Sequence, residues 1–432
     1  MVSQVGLILV MFADNIMIGR YSTPALASVS FVNNLFNMAN MFVMGFSYGV
    51  TPIVGYLYAR KEYAGVGATV RNALRVNICF ALFVSAVMFI IYLNLNSFDL
   101  PQHLLPIIRP YYLITIAGLV PIAVFNVFAQ WSYGVNNSRT PMWILLCANA
   151  LNVGGNYLLI YGNFGFPELG LTGAGISTLT ARLICPAAIM VFFFRRKVSR
   201  EYAEGFRAST VTAAQQKKVF RTSFPVALQL GLESGSFSFA AVVTGMLGEI
   251  PLASYQVIVI VGTLGFCIYY SLGSAVSVLI ANAKGSGNPA MMRLIAWKGY
   301  HIMLLLALCA SMAFIFAGKH LIALITPDPE VIALTLTLLF PLVLYQLGDA
   351  TQINFANALR GTGNVIPMVW IAFISYFVVG APSTWLLAFN AGMGIYGVIL
   401  SFSVSLFLAG ALFLAYFLRS SSTSKQGHAL GA

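Results

Sequence analysis

Residues 17–28 read MIGRYSTPALAS, and residues 243–254 read VTGMLGEIPLAS. Gly19 falls on Gly245, Leu26 on Leu252, and Ala27 and Ser28 on Ala253 and Ser254, all at an offset of 226. The same offset returns much further along, where SRTPMWI and GNVIPMVWI place Pro141 and Met142 over Pro367 and Met368. GLTGA at 170–174 returns as GIYGV at 394–398, with the offset slipped to 224. Two copies of one architecture therefore make up the 432 residues.

What each copy contains follows from composition. The chain is 59% hydrophobic and 8% charged, with a mean hydropathy of +0.86, outside the range of soluble globular domains. About twelve apolar stretches of spanning length lie at 2–19, 31–57, 72–94, 107–133, 141–161, 170–194, 223–247, 252–282, 297–317, 331–358, 365–389 and 394–418. Short alternating strands are absent, so the spans are helices and not a barrel. Six spans per copy is an even number, so the second copy enters the membrane from the same side as the first. The copies are then related by an axis along the membrane normal, as parallel repeats and not inverted ones.

The domains expected are a six-helix lobe at 1–194, a cytoplasmic linker at 195–221, a second lobe at 222–418 and a polar tail at 419–432. The linker, RRKVSREYAEGFRASTVTAAQQKKVFR, reads as a solvated, partly helical connector on anionic headgroups. Pro225 is expected to open the seventh span. Its counterpart would fall two residues before Met1, which predicts that the natural sequence extends further upstream.

The net charge of +12 does not point to nucleic acid, because of how it is distributed. Nineteen Lys and Arg residues fall at span ends on one face, against Arg20, Arg109 and Lys319 on the other, with Arg182 inside a span. That asymmetry predicts cytoplasmic termini in a cell (inner) membrane. Cys79, Cys147, Cys185, Cys267 and Cys309 have no ligand-like spacing and read as apolar packing.

Eight of the eleven acids lie in loops or at span ends. Asp14, Glu233 and Asp349 do not. A charge at the bilayer centre costs about 3 kcal/mol, so such residues face a bundle interior or wet cavity and serve transport. Glu233, in LQLGLESGSFSF (228–239), and Asp349 each lie about 15 Å from the inner face at the helical rise. At equal depth they could share a proton or clamp a monovalent cation. Tyr345, one turn from Asp349, could add an oxygen ligand, and Phe237, one turn from Glu233, could offer its ring to an organic cation or simply pack. Gly231 and Gly235 form a small-xxx-small pair beside Glu233.

In the first lobe Asp14, Asn152, Asn156 and Thr178 reach similar depth and could gather around one cation, although single polar residues of this kind more often bridge helices. At the 226 offset the counterparts of Glu233, Asp349 and Asp14 are Leu7, Ala123 and Ala240, so each lobe carries its own polar site.

These residues resemble the MATE (multidrug and toxic compound extrusion) family over nearly the whole chain, closest to its NorM-like branch. FADNIMIG resembles the family's first-helix Asp stretch, Glu233 is followed 23 residues later by Gln256, and YQLGDATQINFANALRG resembles the tenth-helix Asp segment. The resemblance implies an all-α, V-shaped pair of six-helix lobes exporting organic cations in exchange for Na+ or H+. It also implies that Glu233, Tyr345 and Asp349 bind the coupling cation, a Na+ candidate site, with Gln256 and Phe237 near. In the DinF-like branch an N-lobe site carries Asp, Asn, Asp and Thr. Asp14, Asn152 and Thr178 match it, and Asn156 holds an amide where that branch has a second carboxylate, which favours the C-lobe acids.

Other classes fit less well. The loop GYLYARKEYAG lacks the major-facilitator motif, and no G-x-x-x-x-G-K-[ST] run exists for ATP-driven pumping. A lipid-linked oligosaccharide flippase of the same superfamily would want a cationic cavity, whereas the embedded charges here are mostly acidic. No nucleophile with a base or metal-ligand set points to an enzyme. No cofactor beyond the coupling ion and no nucleic acid is expected, and the partners are small organic cations and the bilayer, with the chain as a monomer.

Overall fold

A computed structural model describes Gly6, Asp14 and residues 16–97 and 102–423 of the chain. The described residues contain helices and no strand, as a chain with no water to satisfy its backbone in a bilayer requires. Ten helices among them are long and apolar enough to cross a membrane, and the bent pair Pro329–Thr337 and Leu339–Gly361 makes up to eleven. The expected first span, 2–19, lies largely outside the described residues, of which 16–21 are helical; Leu7, Asp99, Lys425 and the end of the tail lie outside them too.

The chain divides into two compact units, Val2–Ala227 and Leu228–Ala432. In the first, Thr23–Tyr48 and Val50–Ala59 form one crossing broken at Gly49, where the Ser223 backbone approaches. Ser22 starts this crossing by accepting from the Ala25 N–H, with Pro24 in the first turn. Tyr63–Leu93, Arg139–Tyr161 and Gly170–Arg195 are continuous, whereas the fourth crossing is divided into Leu105–Ala117 and Leu119–Gly134.

The linker region joins the first unit. Arg200–Ala208 is a helix packed on Tyr63–Leu93 through paired glycines: a Cβ on Gly67 would strike the Tyr202 carbonyl, and one on Gly205 the Ala64 carbonyl. Arg71 donates to the carbonyls of Phe206, Arg207 and Ser209 at the end of that helix, and Asn72 donates to Gln215 at 2.6 Å.

Pro225 does not open the seventh span. The helix runs Ala213–Met246, with Pro225 inside it. The polar stretch AAQQKKVFR is made of good helix formers, and an internal proline removes one backbone donor without stopping a helix already nucleated and packed.

In the second unit Leu339–Gly361 is the central helix, packed on Glu249–Gly285, Pro289–Ile325 and Gly394–Thr423. Its entry differs from the expected straight span 331–358: Pro329–Thr337 meets it at 56° across Leu338. Pro341, three residues past the break, has no N–H to give to Thr337, so the ladder opens there. The first unit has an interruption at the matching place, Gly118 with Pro121 three residues on, but there the helices on either side still form one span, Gln102–Gly134. The two interruptions are offset by 220, not 226, so a fixed offset does not hold through this helix, and the counterpart of Asp349 becomes Ala129 in place of Ala123. The eleventh crossing contains π-helical turns at Phe373–Gly380 and Leu386–Asn390.

Candidate functional site

In the second unit, glycines let the central helix approach its neighbour. A Cβ on Gly262 would touch the Tyr345 ring at 3.4 Å, and one on Gly265 would lie 2.5 Å from Gln346 Oε1. This close packing leaves Glu233 7%, Tyr345 8% and Asp349 2% exposed, so none of them is solvated by bulk water. Gln229, one turn before Glu233, donates from Nε2 to Glu233 Oε2 at 2.8 Å. Glu233 and Asp349 lie within electrostatic reach of each other and of the Tyr345 and Tyr376 hydroxyls.

The polar atoms around this pair are under-satisfied. Asp349 Oδ2, both amide atoms of Gln346, Gln229 Oε1, and the hydroxyls of Tyr269 and Tyr376 are buried without a hydrogen-bond partner. Each such atom costs about 1–3 kcal/mol. A cluster of them calls for water, a proton or an ion to complete it.

Phe237 stacks on Phe402 at 4.8 Å and meets Tyr345 edge-on at 6.4 Å, and its carbonyl accepts from Tyr255 at 2.9 Å. It is the wall beside the acids. Gln256 is exposed, and no hydrogen bond joins it to Glu233, Tyr345 or Asp349. Arg360, counted with the bases at span ends, turns inward instead: it is 3% exposed, donates to the Tyr270 hydroxyl at 3.3 Å and lies within electrostatic reach of Glu233. Gln352, buried one turn past Asp349, lies within hydrogen-bonding reach of Glu233; like Gln229, Gln346, Tyr376 and Arg360, it is not singled out by the sequence reading. The three glutamines carried a signal, an amide within four residues of an embedded acid; Tyr376 resembles any other buried aromatic in the sequence.

In the first unit Asp14, Asn152, Asn156 and Thr178 come together as the sequence anticipates. Asn156 Nδ2 donates to Asp14 Oδ1 at 2.5 Å. With the Asn152 amide oriented to satisfy both its ends, its nitrogen donates to the same oxygen at 3.1 Å and its oxygen accepts from Thr178 N at 3.2 Å and Oγ1 at 3.1 Å. Gly155 makes the approach possible, since a Cβ there would collide with Ser177.

A buried carboxylate pair in the second unit and a half-buried carboxylate in the first thus stand on helices of a repeated all-α membrane fold. The MatE family model matches residues 1–158 and 225–386, one segment in each repeat. The chain belongs to the MatE family. Among MatE relatives it is 29% identical over 427 residues to a probable multidrug resistance protein NorM of Bradyrhizobium diazoefficiens, covering 96% of this chain and 90% of that one. It is 26% identical over 401 residues to the protein of the same description from Bacillus licheniformis, covering 92% and 88%. A MATE crystal structure in a bent conformation superposes with a TM-score of 0.90 at 15% identity, covering 99% of this chain and 94% of the other. The resemblance read from the Asp14, Glu233 and Asp349 segments is therefore a family membership, and the chain is a multi-pass membrane transporter of the NorM-like kind.

Proposed function

We propose that this MatE chain is a secondary multidrug exporter. It expels organic cations and amphiphiles by antiport against Na+ or H+ through alternating access, acts as a monomer in the cell (inner) membrane, and has both termini in the cytoplasm. It performs no enzymatic step. The reading is supported above all by the buried pair Glu233 and Asp349, with Asp349 Oδ2 and the surrounding amides and hydroxyls lacking partners. A Na+ ion would find oxygens of Glu233, Asp349 and Tyr345 there; a proton would neutralise one of the two acids.

Coupling follows from competition for one negative charge. A cation arriving from outside neutralises the pair and weakens its hold on a cationic substrate, and its departure inward restores that hold. Inverted vesicles loaded by ethidium uptake under separately imposed Na+ and pH gradients test this. Glu233→Gln and Asp349→Asn should each abolish gradient-driven transport; undiminished transport in both ends the proposal.

A further inference from the structure

Two helices of the second unit, Glu249–Gly285 and Leu339–Gly361, pack side by side past the acids. Their contact is polar and unpaired, where helices packed within a bilayer are apolar or hydrogen-bonded. Gln346, Asp349, Ile353, Asn357 and Gly361 follow at steps of three and four residues and form one stripe on the second helix. Gly265, Tyr269, Gly273 and Ser277 form the matching stripe on the first. The stripes meet along their length: a Cβ on Gly265 would lie 2.5 Å from Gln346 Oε1, one on Gly273 2.6 Å from Asn357 Nδ2, and one on Gly361 2.6 Å from the Ser277 carbonyl oxygen. Asn357 Nδ2 donates back to the Ile353 carbonyl at 2.9 Å. Gln346 Oε1 and Nε2, Asp349 Oδ2, Asn357 Oδ1, Tyr269 Oη and Ser277 Oγ are buried without a hydrogen-bond partner, each on a residue at most 3% exposed. Such an atom costs about 1–3 kcal/mol, so apolar side chains would hold these two helices together better. At the end of the seam expected to face the cytoplasm, Arg360 Nη1 donates to the Tyr270 hydroxyl at 3.3 Å and Lys284 Nζ to the Thr362 carbonyl at 2.5 Å. A guanidinium and an ammonium repel a cation, so these two bonds close the seam.

We propose that this seam is the passage by which a small monovalent cation moves between Asp349 and the cytoplasm, apart from the route of the organic substrate. Asn357 Oδ1 and Ser277 Oγ are its way station, and Arg360 and Lys284 its inner gate. Amide and hydroxyl oxygens carry no formal charge, so they hold a cation weakly enough to let it go, as conduction requires. Gly265 and Gly273 leave room for the amides opposite and for a small cation, but not for an organic one. The inference rests on the antiport reading for what the cation drives, but its first test reads access and not transport.

That test places Ser277→Cys and Asn357→Cys singly in a full-length chain whose five cysteines are replaced by alanine. Ag+, a monovalent cation that reacts with thiols, is added in chloride-free buffer to the cytoplasmic side in inverted vesicles and to the outer side in spheroplasts, and the remaining thiols are counted with a maleimide after unfolding. Both cysteines should react on the order of tenfold faster from the cytoplasmic side than from the outer side. Both should also outpace Leu305→Cys, a control 62% exposed on the apolar face of Pro289–Ile325. Ser277→Leu, which fills the seam with an apolar side chain, should slow gradient-driven ethidium export on the order of tenfold while the ethidium Kd of the detergent-purified chain stays unchanged. The proposal is overturned if neither cysteine reacts faster than Leu305→Cys, or if reaction from the outer side is as fast. It is equally overturned if Ser277→Leu changes export and ethidium binding in parallel or changes neither; if that variant does not purify as a folded species, the Ag+ comparison decides alone. Failure of the antiport reading would show separately, as export indifferent to both gradients, and would leave the Ag+ comparison intact.

Discussion

Gln229 donates to Glu233 at 2.8 Å across one turn of the Ala213–Met246 helix, and both are buried. An embedded carboxylate is thereby given a fixed donor from its own helix, needing no neighbour to arrive. Hydrogen bonds to charged groups contribute about 1.5–3 kcal/mol. Gln229→Leu removes a donor that favours the free carboxylate, so it should tighten the hold of the pair on its cation and lower the coupling-ion concentration for half-maximal ethidium transport by roughly tenfold or more. Gln229→Glu should shift it further in the same direction, because a third carboxylate within a turn of Glu233 adds negative charge for the cation or proton to neutralise.

Glycine spacing separates two kinds of tolerance. At Gly49 a Cβ would lie 2.5 Å from Ser223 Cα, a backbone atom that cannot step aside. At Gly235 it would meet only Phe377 Cζ, at 3.4 Å. Gly49→Ala should cost about 1–3 kcal/mol, the usual range for overpacking, and lower the melting temperature in detergent by several degrees. Gly235→Ala should leave it unchanged, so the Gly231/Gly235 spacing beside Glu233 is not a close-packing requirement at Gly235.

These contrasts show what the sequence could and could not reveal. Hydropathy and the repeat located the crossings because a span needs about twenty apolar residues whatever it packs against. The acids were legible because an embedded charge is rare and costly. The bend at Leu338 leaves no mark in hydropathy because Pro341 lies inside an unbroken apolar run, and Pro225 does not mark the start of its span because the polar residues before it are helical too. Gln256 was carried over by resemblance and is exposed. The inward turn of Arg360 depends on what the facing helix leaves open at Tyr270, and no single segment records that.

Not every ion pair matters to this molecule. Arg60 Nε lies 2.6 Å from Glu62 Oε1, but both side chains are about half exposed, 49% and 46%. Water and salt screen such a pair, and exposed pairs often contribute nothing measurable. Glu62→Gln should leave both the melting temperature and ethidium export within experimental error of the parent, which makes it the control for the substitutions of embedded acids.

Tyr376 offers the sharpest separation of function from stability. It lies in the π-helical stretch Phe373–Gly380, a geometry that widens the turn and recurs at functional sites. Its side chain is 2% exposed, its hydroxyl makes no hydrogen bond of good geometry, and Glu233 and Asp349 are both within electrostatic reach. A hydroxyl that merely packed would be a liability, and deleting it would be neutral or stabilising. A hydroxyl that completes the shell of the coupling cation would be missed only during transport. Tyr376→Phe should therefore keep or raise the melting temperature while increasing the coupling-ion concentration for half-maximal efflux several-fold. A parallel fall in both, measured by thermal unfolding and ethidium transport on the same preparations, would mark Tyr376 as a packing residue and remove it from the site.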